Sequence, residues 1–314
     1  MLTDKQKHLI GRFEQLAKEL GSEKKAGDQI GVASSIVSQL RSEKYIGDVE
    51  YQFSKLDAYF DTKDKAAKNY TEVDYAPTTI SEVVYKTLEN IKIRGGLAVI
   101  TGDAGIGKTK ALQKYAEDNT MNSVMITIDP CIKSTKPMLK QIAAEMGLSR
   151  LQSKDDLKAS IIDKLHDGMI ILVDEAQILT YDSIETLRAF SDHFDRRRQT
   201  LGVALVGNDE IREKIEGRSK ARYDQVRNRS WQRPQLRTLD VQYSDIEMLL
   251  PVLSGQKQEL TFLHKIAQTS EGIRGAVRLF VNAYDKGNYD LNGLIEMAKI
   301  MRLDLRGAEK AVRS

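Results

Sequence analysis

Apolar residues in the first 60 positions recur at three-to-four spacing, in "LIGRFEQLAKEL" and again in "VEYQFSKLDAYF", which marks one buried helix face. Between them, "KKAGDQIGVASSIVSQLRSEKYIGD" holds two shorter amphipathic pieces that meet at Gly31. This predicts a helix-turn-helix, with a first helix ending near Ile30, a turn at "GVA", and a second helix opening on Ser34 or Ser35 as N-cap. The polar, weakly periodic stretch 61–76, "DTKDKAAKNYTEVDYA", stops at Pro77 and reads as a linker.

From 77 to 240 the pattern changes to short apolar runs separated by helical stretches. The runs "GLAVI" (96–100), "SVMITI" (123–128), "MIILV" (169–173), "LGVALVG" (201–207) and "LRTLDV" (236–241) predict buried strands. The expected architecture is an α/β core with a parallel sheet. Beyond 241 strand signals stop, and "SDIEMLLPVL", "QELTFLHKIAQTS", "GAVRLFVNAYDKG" and "LNGLIEMAKIMRL" all carry helical periodicity. A small helical domain over 241–314 is expected, and no internal repeat suggests a solenoid.

A chain of 314 residues, 41% hydrophobic, can bury a real core and has length for two or three domains. A net charge of +3 from 48 basic and 45 acidic residues advertises no nucleic-acid binder, so such a role must come from local clustering. The single cysteine, Cys131, rules out an intrachain disulfide, suits a reducing cytoplasm, and is expected to be small and at least half-buried. The four histidines lack ligand spacing, which argues against zinc. No apolar run approaches the roughly 20 residues that span a bilayer, and the N-terminus lacks a signal-peptide core, so no membrane association is expected.

One stretch carries chemistry by itself. In "GDAGIGKT", Gly102, Gly107, Lys108 and Thr109 fill G-x-x-x-x-G-K-[ST], directly after a predicted strand and before a predicted helix. Backbone N–H groups from Gly102, Asp103, Ala104, Gly105, Ile106 and Gly107 can curl around the phosphates of ATP. Lys108 would neutralise the β and γ oxygens, the Thr109 hydroxyl would ligate Mg²⁺, and the positive end of the following helix would help hold the anion.

Downstream, "MIILVDEAQ" ends an apolar strand in Asp174 and Glu175. A strand tip beside a phosphate loop can give one carboxylate to the Mg²⁺ water shell and the other to the attacking water. "LGVALVGN" places Asn208 at another strand tip, where its amide either senses the γ-phosphate or caps the helix beginning "DEIREKI". The segment "GRSKARYDQVRNRSWQRPQLR" holds seven basic residues, Arg218 to Arg237, against the single acid Asp224. It reads as an arginine reaching into a neighbour's nucleotide site, as DNA phosphate contacts, or as a solvated face.

The order of parts, with "VDEA", "LVGN", the arginine-rich segment and a helical lid carrying "EGIRGAVRLF", resembles the AAA+ ATPases over about 77–300. Within that superfamily, "PTTISEVVYKTLENIK", "VMITIDP", "VDEAQIL" and the N-terminal "IGVASSIVSQLRSEKYIGD" are similar to the Mu B- and TnsC-like transposition regulators. The resemblance implies ATP-dependent homo-oligomers, filaments or rings, on double-stranded DNA with little sequence preference, delivery of target DNA to a transposase, and hydrolysis that ends the assembly. It implies a second sensor at Arg274, with Arg278 as the weaker candidate, and a trans-acting arginine at Arg229, with Arg227 and Arg222 behind it. It also implies DNA contacts after the second strand, where "PCIKSTKPMLK" supplies Lys133, Ser134, Thr135, Lys136 and Lys140. The bland alternative there is a solvated helix start, and "DRRRQT" at Arg196 to Arg198 is a further basic cluster.

Residues 1–70 carry 12 basic and 11 acidic side chains, so Gln39 and Arg41 either reach base edges or belong to a protein-binding domain. Two other functions stay open: a helicase loader or replication initiator, and an ATP-regulated sequence-specific DNA-binding regulator. Nothing suggests an acceptor pocket for a metabolic kinase.

Overall fold

A computed structural model describes residues 2–68, 73, 75–217 and 220–305, and the chain divides into two compact units, 1–71 and 72–314. The first unit is four helices: α1 (Asp4–Glu19), α2 (Glu23–Ile30), α3 (Ser34–Arg41) and α4 (Val49–Lys68). Thr3 and Gln6 close a capping box on α1, and Gly31 takes the left-handed φ of 77° that ends α2 and makes the turn. The apolar stripe of each helix meets in one core built around Phe13, Val37, Leu40 and Leu56.

Two expectations change here. The N-cap of α3 is Ala33, without a side-chain cap, rather than Ser34 or Ser35. Helix α4 runs on to Lys68, through the first half of the stretch read as a linker, because Arg12 reaches across to it. That guanidinium grips Asp64 with two hydrogen bonds of 2.6 Å and lies 4.4 Å from the Phe60 ring centre. Residues 69–72 and 74 of that stretch lie outside the described residues. Arg41 is tied to Glu14 at 3.0 Å and Glu23 at 3.2 Å, while Gln39 is exposed.

The second unit alternates α5 (Thr79–Arg94), β1 (Gly96–Gly102), α6 (Lys108–Asp118), β2 (Ser123–Thr127), α7 (Thr135–Glu145), α8 (Lys154–Lys164), β3 (Met169–Asp174), α9 (Tyr181–Asp195), β4 (Leu201–Gly207), α10 (Asp209–Glu216) and α11 (Asp224–Arg229). Two short strands follow, β5 (Ser230–Gln232) and β6 (Gln235–Leu236). The sheet order is β2-β3-β4-β1-β5 with β6 also on β1, and every pairing is parallel. Strands β3 and β4 are buried along their whole length, which is why both read as continuous apolar runs.

The strand expected at 236–241 shrinks to the two residues of β6. The chain turns there because the Thr238 N–H donates to Asp103 at 2.8 Å and the Arg237 N–H to Asp240 at 2.7 Å, closing a 3₁₀ turn over Thr238–Asp240. Helices α12 (Tyr243–Leu249), α13 (Lys257–Ala267), α14 (Gly272–Asp285) and α15 (Leu291–Ile300) then form the helical lid, and 306–314 lie outside the described residues. No helix among the described residues is long and apolar enough to cross a membrane.

Candidate nucleotide site

The sheet delivers the phosphate loop, the two carboxylates and Asn208 to the same edge. Strand β1 lies between β4 and the β5/β6 pair, so its C-terminal tip, Gly102, faces the tips of β4 and β6. The loop is clamped at its root by the Asp103 N–H donating to the Leu236 carbonyl at 3.1 Å. Gly107 opens α6 at φ 100°, a conformation that favours glycine, and turns the N–H groups of the first helical turn toward the cavity.

Lys108 Nζ donates to the carbonyls of Gly102 at 2.8 Å and Asp103 at 2.6 Å. Thr109 Oγ1 donates to Asp174 Oδ2 at 2.8 Å, so both expected metal-shell residues already touch. Burial holds the Lys108 ammonium below its usual range despite Asp174 and Glu175 nearby, and burial also lifts the Asp174 carboxyl above its own. A buried cation and a buried acid both strained in this way suit a polyphosphate and a hydrated dication, which would restore charge to each. The donor set is a hydroxyl and a carboxylate, fitting Mg²⁺ held largely by phosphate and water, and the described residues contain no cluster of three metal-binding side chains.

Glu175 is exposed at the head of a 3₁₀ turn, Ala176–Ile178, with a left-handed φ of 55°. Asn208 caps α10, its side-chain oxygen accepting the Glu210 N–H at 3.0 Å, and it also lines the cavity. Across the cavity the lid presses on the loop: the Arg274 N–H donates to the Gly105 carbonyl at 2.9 Å, and a Cβ at Gly272 would lie 2.8 Å from the Ala104 carbonyl. The side chains of Arg274 and Arg278 line the cavity with no ion pair among the described residues. The cavity volume is about 630 Å³, within the usual range for a small-molecule site.

Sequence reasoning missed part of the cavity's lining: Tyr75, Ala76, Leu249, Ile273 and Val277. These come from the segment before α5, the end of α12 and the first turns of α14, and no local pattern links them. Asp103 belongs to the loop by its backbone, but its side chain faces outward. Although burial opposes it, the Thr238 N–H and the Arg237 guanidinium hold this carboxyl below the usual range. Arg237 bridges Asp103 at 2.9 Å and Asp209 at 2.6 Å, which removes it from the expected basic patch.

The other basic candidates separate. Arg229 is paired with Asp192 at 3.0 Å and Asp195 at 3.1 Å, just before β5, whose Ser230 pairs with Leu97 at the start of β1. It therefore sits at the opposite end of the sheet from the phosphate loop. Arg227 is paired with Asp224 at 2.6 Å, whereas Arg222 lies 4.0 Å from the Tyr181 ring centre and has no carboxylate partner among the described residues. Arg218 lies outside the described residues. In the segment after β2, Lys133, Ser134 and Lys136 are exposed and Lys140 half-buried, but Thr135 is buried and unable to meet a surface ligand. Cys131 is exposed, contrary to the expected burial.

Residues 92–215 match the AAA domain family. The chain is 27% identical over 274 residues to the Mu-like prophage FluMu DNA transposition protein B of Haemophilus influenzae, covering 85% of this chain and 93% of that protein. It is 23% identical over 249 residues to the ATP-dependent target DNA activator B of Escherichia phage Mu, covering 78% and 77%. Among solved structures, Cdc6p from Pyrobaculum aerophilum superposes with a TM-score of 0.52 at 17% identity, covering 73% of this chain and 72% of that one. That likeness shows a shared fold.

Proposed function

From a chain homologous to the Mu B-type transposition proteins and built around an AAA domain, we propose an ATP-switched protein that grips double-stranded DNA as a homo-oligomer and presents it to a transposase. The observation that carries this is the convergence of Lys108, Thr109, Asp174, Glu175, Asn208 and Arg274 on one cavity closed by the lid.

In this reading the loop N–H groups and Lys108 bind the phosphates, and the Thr109 hydroxyl and Asp174 position the Mg²⁺ water shell. The cation supplies charge neutralisation for the transferring phosphoryl group. Glu175 takes the proton of the attacking water, Asn208 aligns that water, and Arg274 ties the lid to the phosphate tail. A neighbouring protomer supplies an arginine. We favour Arg222 of the three, since a ring rather than a carboxylate holds it and its guanidinium N–H groups stay available.

Lys133, Ser134, Lys136 and Lys140 contact DNA phosphates, which gives grip without sequence choice. ATP between protomers sustains the assembly, and hydrolysis releases the DNA. Residence time on a duplex tests this: Glu175→Gln should lengthen it with ATP by about 100-fold, the scale of losing a positioned base. An unchanged residence time would refute the hydrolytic release.

A further inference from the structure

Gln177 makes contacts from both ends of its side-chain amide, and we infer that it is a positioning residue that fixes the Glu175 carboxylate and ties it to the tip of β4. The inference rests on Glu175 being the water-activating carboxylate. Gln177 is buried in the 3₁₀ turn after Glu175, and its Nε2 donates to Glu175 Oε2 at 2.5 Å. Its Oε1 faces the Asn208 N–H at 3.4 Å.

Position 207 is shaped for this contact. A Cβ on Gly207 would lie 2.2 Å from Gln177 Oε1, closer than any real contact, so a side chain there would push the amide away from its present place at the strand tip. The turn is anchored independently of the site, because Lys214 of α10 donates to the carbonyls of Gln177 and Leu179.

Glu175 needs such a restraint. It is exposed and sits in a left-handed backbone conformation that few non-glycine residues adopt, so its own surroundings do not define where its carboxylate points. The amide binds one carboxylate oxygen and leaves the other for the water. An amide is donor at one end and acceptor at the other, which neither a carboxylate nor an apolar side chain can reproduce. With the acceptor end on the Asn208 backbone, a displacement of the β4 tip by a γ-phosphate carries the Glu175 carboxylate with it.

The test is single-turnover ATP hydrolysis by the full chain on duplex DNA, with ATP affinity measured on the same samples. Gln177→Ala, Gln177→Glu and Gly207→Ala should each slow hydrolysis about 10- to 100-fold, as removal of a supporting hydrogen bond does, with ATP affinity unchanged. Gly207→Ala keeps the glutamine and only displaces it, so it reports on position. Combining Gln177→Ala with Glu175→Gln should be no slower than Glu175→Gln alone, since both remove one function. Wild-type rates in Gln177→Ala, a parallel loss of ATP affinity, or multiplicative losses in the double variant would overturn the inference while leaving the base intact. A wild-type rate in Glu175→Gln would instead remove the base assignment itself, and the inference with it.

Discussion

The two ends of the parallel sheet carry similar arginines in opposite circumstances. At the N-terminal end, Arg229 is held by Asp192 and Asp195. At the C-terminal end, Arg274 and Arg278 line the cavity without a carboxylate partner among the described residues, and Lys108 meets only loop carbonyls through its hydrogen bonds. A satisfied guanidinium stabilises the fold, and one left open beside the N–H groups of a helix N-terminus is poised for an anion. Composition cannot separate these cases, because the distinction lies in the partner.

The most severe way to test the contrast is Lys108→Ala. It should abolish nucleotide binding and with it all ATP-dependent retention of DNA, measured by filter binding. Next is a paired comparison on assembled protein. Arg222→Ala should lower hydrolysis by about 1,000-fold, the scale of a trans-acting arginine. Arg229→Ala should leave the rate near wild type and cost less than about 1 kcal/mol of stability, since its pairs are partly exposed. The reverse result would move the trans arginine to the other end of the sheet.

The chemistry-bearing core was legible because its signals are short. The phosphate loop, the "DE" at the end of β3 and the asparagine at the end of β4 each sit where an apolar run stops. What was illegible depends on residues far apart in the chain. Gln177 and Gly207 meet only because β3 and β4 are neighbours, and Asp103 finds Arg237 134 positions away. The extension of α4 likewise follows from Arg12 reaching Asp64 across the N-terminal unit, a tertiary contact that overrides a weak local pattern. Thr135 lies in a basic, surface-like string yet is buried, because α7 turns that face toward the core.

A smaller effect tests the DNA surface. Lys133→Ala with Lys136→Ala should weaken duplex binding and flatten its dependence on log salt by about 2, one for each phosphate no longer neutralised, leaving ATP affinity unchanged. An unchanged slope would clear these lysines of DNA contact.

The smallest effect is at the root of the loop. The Asp103 carboxyl sits below its usual range in the folded chain, so its contribution is present above the ordinary carboxylate pKa of 3.8 and lost as pH falls through the lower folded value. Asp103→Asn should lower the melting temperature by about 1–3 °C near neutrality. The gap from wild type should close only in strong acid.

In the proposed function, nucleotide at the C-terminal edge of the sheet controls the grip on DNA. Electron microscopy of the protein with duplex DNA under ATP, ADP and no nucleotide addresses it most directly. Assemblies on DNA with ATP alone, persisting in Glu175→Gln and absent in Lys108→Ala, are the expected result. Isolated protomers under all three conditions, or equal assembly without nucleotide, would contradict it.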